Sequence, residues 1–207
     1  MKKSLWVLMT LLAVLMALGA WRFMLVPALI TDEGWGNHLA GFPAATYLHF
    51  SLGPLALIVG AFQFVPQIRQ RWPRVHRAFG KIYVLSCVLA GAAGFLLAVN
   101  TEAGPLAASG FGTLAALWIS MSLGALAFAR VGRFDLHMRW MVRSYALTYG
   151  AVTLRLMMPI SEGLLGLEGA YPYIAWLCWT TNLAAVEGYF YLLQKRSNVA
   201  AAGGSPA

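Results

Sequence analysis

Long apolar runs alternate with short polar interruptions along the whole chain. Six runs can each cross a hydrocarbon core of about 30 Å as a helix of about 20 residues. They lie near Leu5–Leu25, Ala45–Val65, Lys81–Val99, Ala107–Ala129, Trp140–Ile160 and Tyr173–Gln194. The pattern predicts an all-α polytopic membrane helix bundle, with a single transmembrane helical domain over residues 1–196. The small, polar segment NVAAAGGSPA closes the chain, and residues 197–207 are expected to form a disordered tail. The opening MKKSLWVLMTLLAVLMALGA has the basic head and apolar middle of a secretory signal. Its apolar run continues past Ala17-Leu18-Gly19 to Val26, so a retained first span is expected, with cleavage as the alternative.

Composition agrees with that pattern. Of 207 residues, 60% are hydrophobic and 11% charged, with a mean hydropathy of +0.68, far from the average soluble domain. Cys87 and Cys178 both fall inside spans, where they read as small buried hydrophobes rather than a disulfide framework. The chain has no Cys-x-x-Cys, Walker loop, Gly-x-Ser-x-Gly or His-Glu-x-x-His, which argues against a soluble-type nucleotide or hydrolase site.

The net charge of +8 changes the picture through its distribution. Lys2 and Lys3, then Arg69, Arg71, Arg74, Arg77 and Lys81, then Arg130, Arg133 and Arg139, and finally Lys195 and Arg196 all fall on one side of the six spans. The opposite connections hold Asp32, Glu33, Glu102, Glu162 and Glu168. The positive-inside rule then places both termini in the cytoplasm of a bacterial inner-membrane protein. A basic face of this kind meets anionic lipid headgroups, and no nucleic-acid site is read into it.

Helical spacing groups the polar and small residues into stripes. The second span aligns His49, Gly53, Ala56, Gly60 and Gln63. The third aligns His76, Gly80, Tyr83, Cys87, Gly91 and Gly94, and the fourth Thr113, Ser120, Gly124 and Ala127. Small stripes are first of all how membrane helices pack. A histidine on such a stripe must find a partner, so His49 is either a satisfied packing residue or a ligand. His38, in a connection, is expected to be solvated. The fifth span is polar on two faces: His137, Ser144, Thr148, Ala151 and Arg155 on one, Arg139, Arg143, Ala146, Gly150 and Thr153 on the other. A helix polar on both sides belongs in the middle of the bundle. Glu187, the acid placed well inside a span, is expected to form a structural ion pair with Arg143, with proton handling as the alternative.

Three ordered stretches, LHFSLGPLALIVGAFQFVP, PRVHRAFGKIYV and HMRWMVRSYALTYGAVTLRL, resemble the bacterial multi-pass membrane family catalogued as domain of unknown function 2306. The resemblance covers roughly Tyr47 to Met158. It implies a site among His49, Gln63, His76, Arg77, Gly80, Tyr83, His137, Arg139, Trp140, Arg143, Ser144, Tyr145 and Arg155. Lys81 stands where the family usually has arginine, which keeps the cation. The family name supplies no activity.

Three functions stay open on these residues. The first is a membrane redox protein binding haem b or a quinone. His49, His76 and His137 are then candidate iron ligands, and His49, His76, His137, Arg77, Arg139, Arg143, Arg155, Tyr83 and Gln63 form the candidate cofactor-binding set. The second is a transporter or channel for a small solute or anion, drawn to Arg77, Arg139 and Arg143 near helix N-termini. The third is a non-catalytic assembly or regulatory factor with a membrane-protein partner or a second copy of itself. No motif decides whether the chain is an enzyme. His49 lies near the external edge and His76 and His137 near the cytoplasmic one, levels about 25 Å apart at 1.5 Å per residue. His49 therefore cannot share a metal with the other two, whereas His76 and His137 can meet.

Overall fold

The computed structural model describes residues 3–26, 28–30, 35–167 and 169–203. Among them the chain is helical throughout its regular structure, with no strand. The elements in order are α1 (Lys3–Leu25), α2 (Ala28–Ile30), α3 (Gly36–Gly41), α4 (Pro43–Gln63), α5 (Pro66–Arg71), α6 (Pro73–Val99), α7 (Pro105–Arg130), α8 (Phe134–Thr148), α9 (Gly150–Met158), a π-helical turn (Pro159–Leu164) and α10 (Tyr171–Gly203). Four of these, α1, α4, α6 and α7, are long and apolar enough to cross a membrane by length and composition.

Local chemistry explains the boundaries. Prolines 43, 66, 73 and 105 each open a helix, where a missing N–H costs nothing. Gly104 and Gly132 turn the chain into α7 and α8 at φ of +87° and +73°, conformations that a side chain would strain. Where hydropathy placed the start of the third span at Lys81, α6 begins at Pro73. Its first two turns are polar and exposed, and a proline cap sets the helix limit there, not the change in hydropathy. The fifth span likewise departs from the continuous stretch expected over Trp140–Ile160. It begins at Phe134, breaks at Tyr149 and gives way at Pro159, which cannot donate to the ladder, to the π-helical turn. At the other end, α10 runs through Ser197 to Gly203 on an alanine-rich segment of high helix propensity. Of the expected tail, only residues 204–207 lie outside the described residues.

Cross-helix contacts define the bundle. Trp6 Nε1 donates to the Ala61 carbonyl at 3.3 Å and Trp21 Nε1 to that of Ser51 at 3.0 Å, so α1 runs antiparallel to α4. His49 meets Ala90 at one end of the α4–α6 pair, while Gln63 faces Gly80 at the other. Down α7 and α8, His137 meets Ala125 and Thr148 meets Trp118, again antiparallel. Arg143 meets Glu187 and the Ala146 carbonyl meets Asn182, which sets α10 antiparallel to α8. Each long element thus passes from end to end of the bundle. One end carries Arg77, Lys81, Arg130 and Arg139 and is called the basic end below. The other gathers His49, Leu106, Arg155 and Tyr171.

The interior is built from small residues. Ala13, Ala17, Ala56, Ala90, Ala125 and Ala175 are almost completely buried, together with Tyr83, Leu147 and Val152. Leucines 8, 11, 15 and 18 of α1 and Leu85 of α6 point outward. That inversion suits lipid, where helices gain by close approach and not by hiding leucine from water. α8 lies inside the bundle, packed against α4, α7 and α10.

Candidate functional site

At the end opposite the basic one, α1, α4, α6, α7, α9 and α10 surround a cavity of about 210 Å³. Its walls are mostly apolar: Met16, Ala17, Leu57, Leu97, Phe111, Leu114 and Leu154, with Trp35 and Trp118. Five polar side chains, His38, His49, Thr101, Thr148 and Arg155, and the ring of Tyr171 also line it. α4 contributes His49, Phe50, Gly53, Pro54 and Leu57 to the wall. Gly53 has no neighbour within 4 Å of where a Cβ would stand, and Pro54 beside it removes one ladder hydrogen bond.

His49 is held in one orientation. A backbone carbonyl can only accept, so the 3.0 Å contact between His49 Nδ1 and the Ala90 carbonyl makes Nδ1 the donor. The other ring nitrogen, Nε2, is then the one left to meet a ligand, an arrangement shared by imidazoles that bind metals or accept protons. Gly94 makes the seat for the ring, because a Cβ there would lie 2.9 Å from Nδ1. Arg155 is half-buried, and its Nη1 donates to the Ala151 carbonyl at 3.1 Å. His38, expected to be solvated, is instead half-buried on α3. It stacks obliquely on Trp35 with centroids 5.2 Å apart and joins the cavity wall.

Behind the cavity lies a buried hydroxyl cluster. Tyr83 Oη sits 2.8 Å from Ser144 Oγ and 2.9 Å from Thr148 Oγ1. Trp118 Nε1 donates to Thr148 Oγ1 at 2.8 Å, and Ser122 Oγ lies 2.8 Å from Ser144 Oγ. Ser122 also donates to the Trp118 carbonyl, and Thr148 to that of Ser144. Tyr83, Ser122 and Ser144 are fully buried. Ser122 and Trp118 carry no motif that would single them out. The stripe assigned to the fourth span contained Ser120, which is exposed and bonds back to the Ala116 carbonyl of its own helix. Only the cross-helix partners distinguish the two serines.

The basic end is assembled differently. Gln63 is 5% exposed, and its Nε2 has no hydrogen-bond partner; His76 Nδ1 is likewise buried and unpartnered. His137 Nδ1 donates to the Ala125 carbonyl at 2.8 Å. Arg143 grips Glu187 with two hydrogen bonds, the one from Nη2 to Oε2 measuring 2.8 Å. Arg139 and Arg143 both approach the face of Phe190, at 5.3 and 5.1 Å. Arg77 is exposed on α6 and joins neither group. Of the residues singled out from the sequence, His49 and Arg155 therefore share the cavity, Tyr83 belongs to the hydroxyl cluster, and Gln63, His76 and His137 lie toward the basic end. Among the described residues no three histidine, cysteine or acidic side chains are grouped to hold a metal.

A haem group does not fit this arrangement. Most of the glycine faces that would admit a porphyrin are filled by neighbouring side chains. Gly60 lies under Tyr145 and Tyr83, Gly91 under Ile119, Gly94 under His49 and Gly124 under Trp140. Gly53, which is open, faces a cavity whose 210 Å³ is below the roughly 300–1,000 Å³ usual for drug-sized ligands.

The class defined by this fold and site is an all-α membrane bundle with a small, mostly apolar internal cavity near one end. The chain belongs to the family described as predicted membrane protein, domain of unknown function 2306, whose model matches residues 46–190. No curated protein and no solved structure matches it.

Proposed function

We propose that the chain is a multi-pass protein of the bacterial inner membrane, its basic end cytoplasmic, that binds the headgroup of a quinone in a membrane redox role. The observation that carries this reading is the meeting of His49 and Arg155 in one mostly apolar cavity. A quinone headgroup is a flat, apolar ring with two carbonyl oxygens, and becomes a pair of hydroxyl donors when reduced. Arg155 supplies hydrogen-bond donors to a carbonyl oxygen. His49 Nε2, with Nδ1 engaged on Ala90, suits the hydroxyl of the reduced form and can accept its proton. Gly53 leaves open space in the cavity wall for a flat ring. The anion-carrier alternative loses support, because Arg143 is matched by Glu187 and Arg77 stands apart.

Trp35 and Trp118 in the cavity wall provide the test. Titrating the detergent-solubilised protein with a short-chain ubiquinone should quench tryptophan emission saturably. His49→Ala and Arg155→Gln should each raise the apparent Kd about three- to tenfold, the range for one hydrogen bond of about 0.5–1.5 kcal/mol. Linear, non-saturating quenching that is the same in all three proteins would rule the reading out.

A further inference from the structure

The buried polar groups behind the cavity do not end there. Thr148 belongs both to the cavity wall and to the hydroxyl cluster. From Thr148 the contacts pass to Tyr83 Oη and Ser144 Oγ, both in the interior of the bundle. On α6, Tyr83, Gly80 and His76 share one face, and His76 lies two turns, about 10 Å of rise, toward the basic end. Gln63 stands against that face, since its Oε1 is 3.4 Å from where a Cβ on Gly80 would be. This interval also holds two polar atoms without partners, Gln63 Nε2 and His76 Nδ1.

We propose that these groups form a proton path between the cavity and the basic end, running through Thr148, Ser144 and Tyr83 to His76 by way of water held at Gln63. Two physical arguments support it. Buried polar atoms in hydrocarbon find partners, and where protein supplies none, water does. Gln63 Nε2 offers donors and a neutral His76 Nδ1 offers an acceptor or a donor, so water between them can be bonded on both sides. The second argument is a count. The indole of Trp118 and the hydroxyls of Tyr83, Ser122, Ser144 and Thr148 hold five hydrogens for six mutual and backbone contacts. One contact must go without its own hydrogen, so the hydroxyl rotors have alternative arrangements of similar satisfaction. That is the condition for relaying a proton: a hydroxyl accepts on one side, releases on the other and turns back. Tyr83 is the joint of the path, because its oxygen touches both Ser144 and Thr148 and its helix carries the same face on to Gly80 and His76. The single-file geometry predicts slow conduction, unlike that of a water-filled pore.

The path opens into the cavity but does not depend on what the cavity binds, so the flux is measured without quinone. The full chain is reconstituted in liposomes loaded with a pH-sensitive dye, and a potassium diffusion potential drives protons. Wild type should acidify or alkalinise the lumen faster than protein-free vesicles, with the sign of the imposed potential. Tyr83→Phe, which removes one oxygen and leaves the ring seated against Gly60, should return the rate to the protein-free level. Gln63→Leu, which cannot hold water, should do the same and stands in should the first variant fail to fold. Tryptophan quenching by the short-chain ubiquinone, unchanged in either variant, separates loss of the path from loss of the cavity. Wild-type flux no faster than in protein-free vesicles overturns the proposal, as does wild-type flux in every variant that folds.

Discussion

Gly53 and Gly60 sit on the same stripe of α4, two turns apart, and have opposite surroundings. A Cβ on Gly60 would lie 2.6 Å from the Tyr145 ring and 2.7 Å from that of Tyr83, whereas one on Gly53 would meet nothing within 4 Å. The first glycine is a seat for aromatic side chains and the second borders the cavity. The two halves of the bundle differ in the same way. The half that holds Gly60 and Gly124 seats aromatic rings on helix backbone, and the opposite half keeps a space lined by Trp35, His49 and Arg155. A glycine in a membrane helix thus has no single meaning: its role is set by whether a neighbouring helix sends a ring toward it.

Substitutions sharpen that contrast, beginning with the largest effect. Gly60→Leu forces two buried tyrosines aside and should destabilise by about 3 kcal/mol or more, the upper range for overpacking a closed site. Gly53→Leu should leave thermal stability within experimental error while abolishing saturable ubiquinone quenching. Equal loss of stability in the two variants, measured by thermal unfolding in detergent, would erase the distinction between the halves.

Next comes the hydroxyl cluster that joins them. Thr148→Val keeps the shape but strands the indole N–H of Trp118, and should cost about 1–3 kcal/mol, the penalty for a buried unpaired donor. A neutral result would mean that Trp118 finds another acceptor. The smallest effect is expected at the ion pair. Arg143 and Glu187 are 22% and 47% exposed on their side chains, so solvent screens them, and Glu187→Gln should cost no more than about 1 kcal/mol. A much larger loss would show that the pair lies in a drier environment than its exposure indicates.

Much of the architecture was legible because lipid imposes simple rules. The apolar runs located the long helices, and the two polar faces of the fifth span anticipated a central helix. What could not be read was which small face meets which ring. Gly60 and Gly53 are identical in the sequence pattern, and only the rings of Tyr83 and Tyr145, on two other helices, separate them. Ser122 escaped for a related reason. The fourth span is apolar all round, so periodicity does not tell its inward face, and Ser120 satisfied the stripe equally well. His38 belongs to a connection and reads as solvated, whereas α3 packs against α4 and brings the ring into the cavity wall. The meeting of His49 with Arg155 joins residues on α4 and α9, and no local spacing encodes it.

The attachment of α1 has a kinetic consequence. Met16, Ala17 and Ala20 form part of the cavity wall, yet the polar attachments of α1 across the bundle include Trp6 to Ala61, Trp21 to Ser51 and Tyr149 to Met9, all side chain to backbone. Each such bond contributes only about 1 kcal/mol net. Parting α1 from α4 would therefore cost these bonds and the packing of Ala13, Ala17 and Phe23, but no helix ladder. A molecule dissolved in the bilayer would reach the cavity sideways, through that seam. The strength of the indole bonds would then govern residence time and exchange rate, leaving equilibrium occupancy to His49 and Arg155.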